Sequence, residues 1–303
     1  MIERVAKLYY EHGLTHQEIG GLLGLSRVKV TRLLAEARAT GVVEITVHAT
    51  SSPFVDLELQ LVERFGLASA WVAPSLSDDR ERADRAIART AADALTTMIA
   101  RRSVVAVSLS SMVGIVTAGL PQRALGGEYV PISGSWTGLG DGSSPAEIAM
   151  RFAEKFDGQA YRFPATLLAP NAEAARATLS SPELVETLAR AARADLLVTG
   201  LGSVSGDAGI LFHALDRGER QEILDGGAVG DVAGRYFDAE GRAVPSSVED
   251  RVIGLSLEQI GRIPSRLAIV RGAHRLDAAR AALSTGIINV LVTDSDFAHA
   301  LLA

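Results

Sequence analysis

The 303-residue sequence contains no cysteine, so a disulfide framework, a thiolate zinc site and a catalytic thiol are all excluded. No signal peptide is expected either. Met1-Ile2-Glu3-Arg4 carries charge where a signal peptide needs an apolar run, and the expectation is a cytoplasmic protein. Long hydrophobic runs are missing too: the longest uncharged stretch, Ser103 to Gln122, is interrupted by hydroxyl residues, Gly114, Gly119 and Pro121. It reads as a buried strand, a turn and a helix, and no membrane partner is expected. The six histidines show no metal-ligand spacing, so no metal and no cofactor are expected.

What is present suffices for a folded core without staples, with 48% hydrophobic and 22% charged residues. The net charge of −6 is unevenly distributed. Residues 1–50 hold 6 basic and 5 acidic side chains, and residues 51–303 hold 24 and 31, giving +1 and −7. Arg27, Lys29, Arg32 and Arg38, against Glu36 alone, make one basic stretch in an acidic chain.

That stretch belongs to a motif. Thr15-His16-Gln17-Glu18 is a capping box that starts a helix, with Ile19, Leu22 and Leu23 on its apolar face. Gly24 allows the left-handed turn that ends it, Leu25 plugs the corner, and Ser26 caps a second helix. There Val30, Leu33, Leu34 and Ala37 recur at helical spacing and should pack on the first helix, with Gly20 letting the axes approach. This is a helix-turn-helix; a plain helical hairpin would not need basic residues opposite the buried stripe. At about 100° per residue, Val28, Thr31, Arg32 and Ala35 lie opposite that stripe and should meet the major groove. Arg32 is assigned to a guanine, Thr31 to a base edge and Val28 to a thymine methyl, with Arg27 and Lys29 on phosphates. Val5, Leu8 and Tyr9 suggest a supporting first helix, with Tyr9 and Tyr10 serving as core or backbone support. Gly41 to Val47 reads as a strand, the wing of a winged helix.

The run His48 to Pro53 has linker chemistry, so two domains are expected, residues 1–52 and 53–303. In the second, short apolar strands are expected at Ala70–Ala73, Val104–Val107, Tyr129–Ile132, Ala160–Phe163, Leu196–Val198, Leu267–Val270 and Asn289–Val292. They alternate with helical patterns such as Arg82–Ala100, Ala146–Phe156 and Pro182–Ala194. Such alternation implies a doubly wound, mostly parallel α/β domain whose ligands sit at the carboxyl ends of its strands.

Four segments in order carry a resemblance: the helix-turn-helix; Gly227-Ala228-Val229-Gly230-Asp231-Val232-Ala233-Gly234-Arg235-Tyr236-Phe237-Asp238; Asp250-Arg251-Val252-Ile253-Gly254; and Ile288-Asn289-Val290-Leu291-Val292-Thr293-Asp294. Together they resemble the SorC-type sugar-responsive transcriptional regulators over essentially the whole chain. The resemblance implies a winged helix-turn-helix joined to an effector domain related in fold to phosphosugar isomerases, assembled as a homo-oligomer, dimer or tetramer. Members of that family typically carry a Ser-Trp-Gly or Ser-Gly-Gly loop with a following threonine that cradles a phosphate. Here the loop reads Ser108-Leu109-Ser110-Ser111-Met112, which keeps hydroxyl donors and loses the glycine and the threonine. By the same resemblance Asp231 is an acidic effector contact, Arg275 replaces a ligand-reaching lysine, Gly134 and Ser135 form a second edge of the pocket, and Glu147 is a nearby carboxylate.

The residues themselves leave alternatives open: Asp231 as a turn cap, Arg275 as a surface charge, Glu147 as a first-turn acid, and Asp250-Arg251 as a structural salt bridge. The expected function is a regulator that binds double-stranded operator DNA under control of a small sugar, polyol or sugar phosphate, with no catalytic residues. The competing reading is a sugar-phosphate isomerase or deaminase carrying a DNA-binding module. It would need a general base beside a competent phosphate loop.

Overall fold

The computed structural model describes residues 1–43, 53–76, 79–136, 138, 142–205 and 210–303, apart from the side chain of Ile210. It separates into two compact units, Met1–Pro53 and Phe54–Ala303. Among the described residues no helix is long and apolar enough to cross a membrane.

The first unit is three helices, α1 (Ile2–Tyr10), α2 (His16–Leu23) and α3 (Arg27–Ala39). Val5, Ile19, Val30, Leu33 and Leu34 form its core, one to three residues from each helix. The chain leaves α3 at Gly41, φ +72°, and the Val43 N–H donates to the Ala37 carbonyl. The expected wing strand lies, from Glu44 onward, outside the described residues, as does most of the expected linker.

The second unit opens with α4 (Val55–Phe65), β1 (Ser69–Ala73) and α5 (Arg80–Met98), followed by β2 (Val104–Val107), α6 (Ser111–Gly119), β3 (Glu128–Pro131) and α7 (Pro145–Phe156). The later strands are β4 (Gln159–Ala160), β5 (Leu196–Gly200), β6 (Gly202–Ser203), β7 (Ala228–Val232), β8 (Arg235–Asp238), β9 (Ser265–Ile269) and β10 (Val290–Asp294). The main sheet has the order β1-β10-β9-β5-β2-β3-β4, and every pairing in it is parallel.

Successive strand residues enter opposite cores, as a pleated strand requires. Val105, Val107, Leu196, Val198, Leu267 and Ile269 pack with α5, α6 and α7. Ala106, Leu197 and Ala268 pack with α4 and with helices Pro182–Ala191, Leu276–Ser284 and Ser295–Leu302. This doubly wound arrangement covers both faces of the sheet.

All seven expected strands are in this sheet. The edge strand β4 is shorter than expected: the Tyr161 N–H donates to the Tyr129 carbonyl and pairing with β3 stops there, ahead of Pro164. A second sheet, β6-β7-β8, is antiparallel and was not anticipated as strands from the sequence. Ala233 and Gly234, at φ +53° and +80°, make the tight turn between β7 and β8.

The chain runs from β2 outward to β3 and β4, then returns to β5 and continues the other way to β9 and β10. The order therefore reverses between β2 and β5. A crevice opens at the carboxyl ends of strands where such a reversal occurs.

Candidate functional site

The helix-turn-helix is built from nearest-neighbour devices. Thr15 Oγ1 accepts from the Glu18 N–H at 3.3 Å, and Glu18 Oε2 accepts from the Thr15 N–H at 2.8 Å. These bonds to Thr15 hold the Glu18 carboxyl below its ordinary range. Gly24 ends α2 at φ +66°, and Ser26 caps α3 by accepting from the Lys29 N–H. Gly20 acts differently from expectation: a Cβ there would lie 2.7 Å from the Leu25 carbonyl oxygen. It makes room for the returning turn rather than for the approach of two helix axes.

Two apolar assignments need correction. Leu22 is 65% exposed, because the buried side of α2 is Ile19 and Gly20 with Leu23 at its margin. Tyr9 and Tyr10 are also exposed; they meet edge to face, and Tyr9 rests on His16 with centroids 5.1 Å apart.

On α3, Val30, Leu33, Leu34 and Ala37 are buried as the spacing requires, while Arg27, Val28, Thr31 and Arg32 are exposed. Val28 is 78% exposed. Lys29 is half-buried on the flank. The Thr31 hydroxyl is already engaged: it donates to the Arg27 carbonyl at 3.0 Å and lies 3.1 Å from His16 Nδ1. Arg27 and Arg32 form no ion pair among the described residues.

At the sheet reversal, the loop after β2 meets the end of β5. Ser108 is fully buried and its hydroxyl lies 2.6 Å from Thr199 Oγ1. Ser110 caps α6 by accepting from the Val113 N–H at 3.3 Å, and a Cβ on Gly200 would come within 2.9 Å of its hydroxyl. Ser111 is exposed in the first turn of α6, and Met112 packs into the core below. Of the three hydroxyls expected to offer donors, that of Ser108 is taken up with Thr199, whereas Ser110 only accepts in its cap and Ser111 makes no bond among the described residues, so both keep a hydrogen to donate.

Asp231 lies in β7 opposite Gly202 on one side and Tyr236 on the other. It is only 9% exposed. Its Oδ2 accepts from the Gly234 N–H at 2.9 Å, closing the β7–β8 turn. Its Oδ1 lies over Gly202, where a Cβ would fall 1.7 Å away, so only glycine leaves the carboxylate this position. Burial pushes the Asp231 pKa up to about 6, opposed by the Gly234 N–H and the charge of Arg275.

Arg275 is anchored rather than free. Its Nε donates to the Leu201 carbonyl and its Nη1 to the Arg271 carbonyl, each at 3.0 Å. It thereby ties the loop after β9 to the one between β5 and β6. Its Nη2 and the second N–H of Nη1 carry no bond among the described residues.

The remaining expected residues are not brought to this cluster as free groups. The Gly134 N–H donates to the Ile253 carbonyl, and a Cβ there would lie 2.3 Å from the Thr166 carbonyl. The Ser135 N–H donates to the Ala165 carbonyl and its own carbonyl accepts from the Leu167 N–H. Both residues have their backbone committed to packing against residues 165–167. Glu147 is exposed, and its Oε2 accepts from the Ser144 hydroxyl and the Gly142 N–H in a capping box that starts α7. Those bonds, led by that of the Ser144 hydroxyl, hold its pKa below the ordinary value. Asp250 and Arg251 do not pair with each other; Arg251 binds Glu219 and the Ala169 carbonyl.

Sequence reasoning passed over Gly202 and Arg235. Arg235 is 7% exposed and directs its donors to the carbonyls of Leu255, Glu249, Val252 and Gly254 and to Glu249 Oε1. It clasps residues 249–255, which in turn support Gly134 through Ile253. An arginine between the apolar residues of a hairpin was the available signal. A cavity of about 260 Å³ also opens near the ends of β1, β9 and β10, lined by Ser75, Ala83, Arg271, Gly272, Asp294 and Phe297 among others. None of the expected effector residues lines it.

Comparison with known proteins agrees with this architecture. The family model described as "Putative sugar-binding domain" matches residues 51–303, and "Bacterial regulatory proteins, crp family" matches residues 13–43. The transcriptional regulator LsrR of Escherichia coli K12 is 31% identical over 315 aligned residues, covering 99% of this chain and 94% of that protein. LsrR of Enterobacter sp. 638 is 30% identical over 317, covering 100% and 93%. The full-length sorbitol operon regulator SorC of Klebsiella pneumoniae shares the fold with a TM-score of 0.79 at 23% identity, covering 100% of this chain and 98% of that one. A DeoR family transcriptional regulator of Listeria monocytogenes gives 0.76 at 25% identity, covering 82% and 100%. These relatives are transcriptional regulators and not enzymes, and the chain belongs to their family, the SorC-type regulators that join a helix-turn-helix to a sugar-binding domain.

Proposed function

We propose that the chain binds operator DNA in the cytoplasm as a homo-oligomer, with Arg32 and Val28 of α3 on base edges and Arg27 and Lys29 on phosphates. An uncharged sugar or polyol at the β2–β5 crevice shifts the population of DNA-competent oligomers, and genes of carbohydrate catabolism are the natural target. Two copies are needed because one helix-turn-helix covers only a half-site. Such control requires only that the effector bind one arrangement better than the other.

The observation that carries the uncharged effector is the pairing of a buried carboxylate with an anchored arginine. Asp231 presents an acceptor for sugar hydroxyls, whereas the loop that would cradle a phosphate lacks the glycine that lets backbone N–H groups approach closely, and Arg275 is tethered to two carbonyls. A phosphate beside Asp231 would meet like-charge repulsion that Arg275, tethered to two carbonyls, offsets only in part.

Calorimetry on the full chain with sorbitol, ribitol and glucose, each beside its terminal phosphate, tests this. The uncharged member should bind at least as well, and release of DNA from the upstream region of the gene should follow the same order. A phosphate binding tenfold tighter than its parent, with that advantage lost in Arg275→Ala, would overturn the uncharged effector.

A further inference from the structure

The uncharged stretch Ser103 to Gln122 supplies β2 and all of α6, and α6 lies on one face of the sheet between α5 and α7, touching both. A helix at a protein surface ordinarily turns polar or charged residues outward. Helix α6 does not. Its buried side is Val113, Gly114, Val116 and Thr117, and its outward side is Ser111, Ile115, Ala118 and Gly119, without a charge. Ile115 is 40% exposed, and beside it on α7 Met150 is 63% exposed. A helix apolar on nearly every side is the kind found between two protein layers rather than at a boundary with water.

The flanking helices carry opposite charge. On α5 the exposed Arg82 and Arg89 stand seven residues, about two turns, apart and form no ion pair among the described residues. Arg85 between them pairs with Glu81, and Asp93 follows one turn on. On α7 the exposed charges are Glu147 and Glu154, again seven residues apart. Its basic residues are half-buried, and Arg151 donates to the Gly114 carbonyl of α6. Both helices follow a strand of the parallel sheet and start at its carboxyl edge, and Arg82 and Glu147 are each the third residue of their helix. From α5 across α6 to α7 the surface therefore runs basic, neutral, acidic.

Resting on the proposal of a homo-oligomer, we infer that α5, α6 and α7 form the face on which a second copy of the chain docks, about a two-fold axis running along α6. Such an axis sets α6 against α6 and exchanges left for right, so the basic α5 of each copy meets the acidic α7 of the other. An axis across the helices would set Arg82 and Arg89 against themselves. Residues 51–303 carry a net −7, so copies repel except through a face that is neutral or mixed in charge. The 19 residues of α5 span about 28 Å and three helices side by side about 20 to 25 Å, an extent that approaches the roughly 800 Å² per partner of a stable complex. Helix α6 opens with the Ser110 cap at the crevice, so the loop at the effector site and the docking helix are one segment, which is what coupling of ligand to assembly needs.

Sedimentation equilibrium of the full chain over a nanomolar to micromolar series tests the face. Ile115→Arg should break it, turning a dimer into a monomer or a tetramer into a dimer, with far-UV circular dichroism unchanged. Arg89→Glu and Glu154→Arg should each weaken association about tenfold or more, by setting like charges opposite one another. The two changes in one chain restore opposite charges and should return the dissociation constant to within about threefold of the parent, a rescue that a folding defect does not allow. An oligomer whose mass and dissociation constant are untouched by Ile115→Arg overturns the face and spares the homo-oligomer. Dissociation by Ile115→Arg without the charge rescue overturns the two-fold along α6. A parent chain that is monomeric throughout overturns the docking of a second copy and the homo-oligomer alike, and leaves the face to a different protein.

Discussion

Within the helix-turn-helix, each device joins residues three to five apart: Thr15 with Glu18, Gly20 with Leu25, Ser26 with Lys29. At the carboxyl edge of the sheet the partners are remote. Ser108 meets Thr199 across 91 residues and Arg275 meets Leu201 across 74. The two side-chain caps among them lie near water and each is worth about 1 kcal/mol. The second is buried, as between Ser108 and Thr199, or part-buried, as between Arg275 and Leu201, and breaking a buried one leaves polar groups with no alternative partner, which costs more. Recognition of a long polymer tolerates shallow local support, whereas enclosing a small ligand demands buried, long-range support.

The strongest way to break this contrast is at Arg235. Arg235→Met would strand four carbonyls and the Glu249 carboxylate, whose pKa burial already raises. A loss of about 3–5 kcal/mol is expected in denaturant unfolding, because removing one partner leaves a buried charge unpaired. A loss under about 1 kcal/mol would mean that the clasp is not what holds residues 249–255.

A smaller effect is expected from the close turn of the first unit. Gly20→Ala drives a Cβ against the Leu25 carbonyl and should cost about 1–3 kcal/mol, with DNA binding lost in parallel. The adjacent Gly21 meets nothing within 4 Å, so Gly21→Ala should stabilise by up to about 1 kcal/mol through helix propensity. Equal effects on the thermal midpoint at the two positions would refute the role given to Gly20.

Asp231 and Glu18, one in each unit, should titrate in opposite senses. Asp231 has a folded pKa of about 6 against an ordinary 3.8, so between those values the native state holds a proton that the unfolded chain has released. Its contribution therefore opposes folding above pH 6 and fades as pH falls toward 4. Asp231→Asn should be more stable than the parent at pH 8 by about 1–3 kcal/mol, with the gap closing by pH 4. Glu18, whose pKa is lowered, acts the other way: its support is present above its unfolded pKa and is lost as pH falls through the folded one. Unfolding curves at pH 8, 6 and 4 check both signs.

The smallest expected effect sharpens the reading of α3. Thr31→Val removes a hydroxyl already bound to Arg27 and His16, so base preference in competition binding should stay within about twofold. A larger change at a single base pair would show that the hydroxyl leaves its partners on DNA.

The motif around Thr15, Gly24, Ser26 and the Val30-to-Ala37 stripe was legible because caps and helical spacing act over single turns. The seven strands of the main sheet were legible for a related reason: each is a short apolar run bounded by turns, as strands buried on both faces must be. The sheet β6-β7-β8 was not, because Gly202–Ser203 is too short for a pattern and a hairpin interior holding Asp231 and Arg235 breaks alternation. The surroundings of Gly134 and Ser135 were hidden for the same cause, whereas Glu147 sits in a capping box with Ser144 three residues away, in keeping with its reading as a first-turn acid. A glycine beside a strand signals close approach to something, and only the fold shows that here it is the chain at Thr166.

By itself the sequence determined the order of the elements, the capped helix-turn-helix, the basic face of α3 and the doubly wound class, all of which follow from interactions within a few residues or from periodicity. Tertiary structure decided that Asp231 folds over Gly202, that Arg275 reaches Leu201, and that Trp136 packs against the cluster of Tyr236. Those relations depend on which strands neighbour one another and in what register. Partners that pairing brings together across 29 to 100 residues leave no spacing in the chain from which to read them.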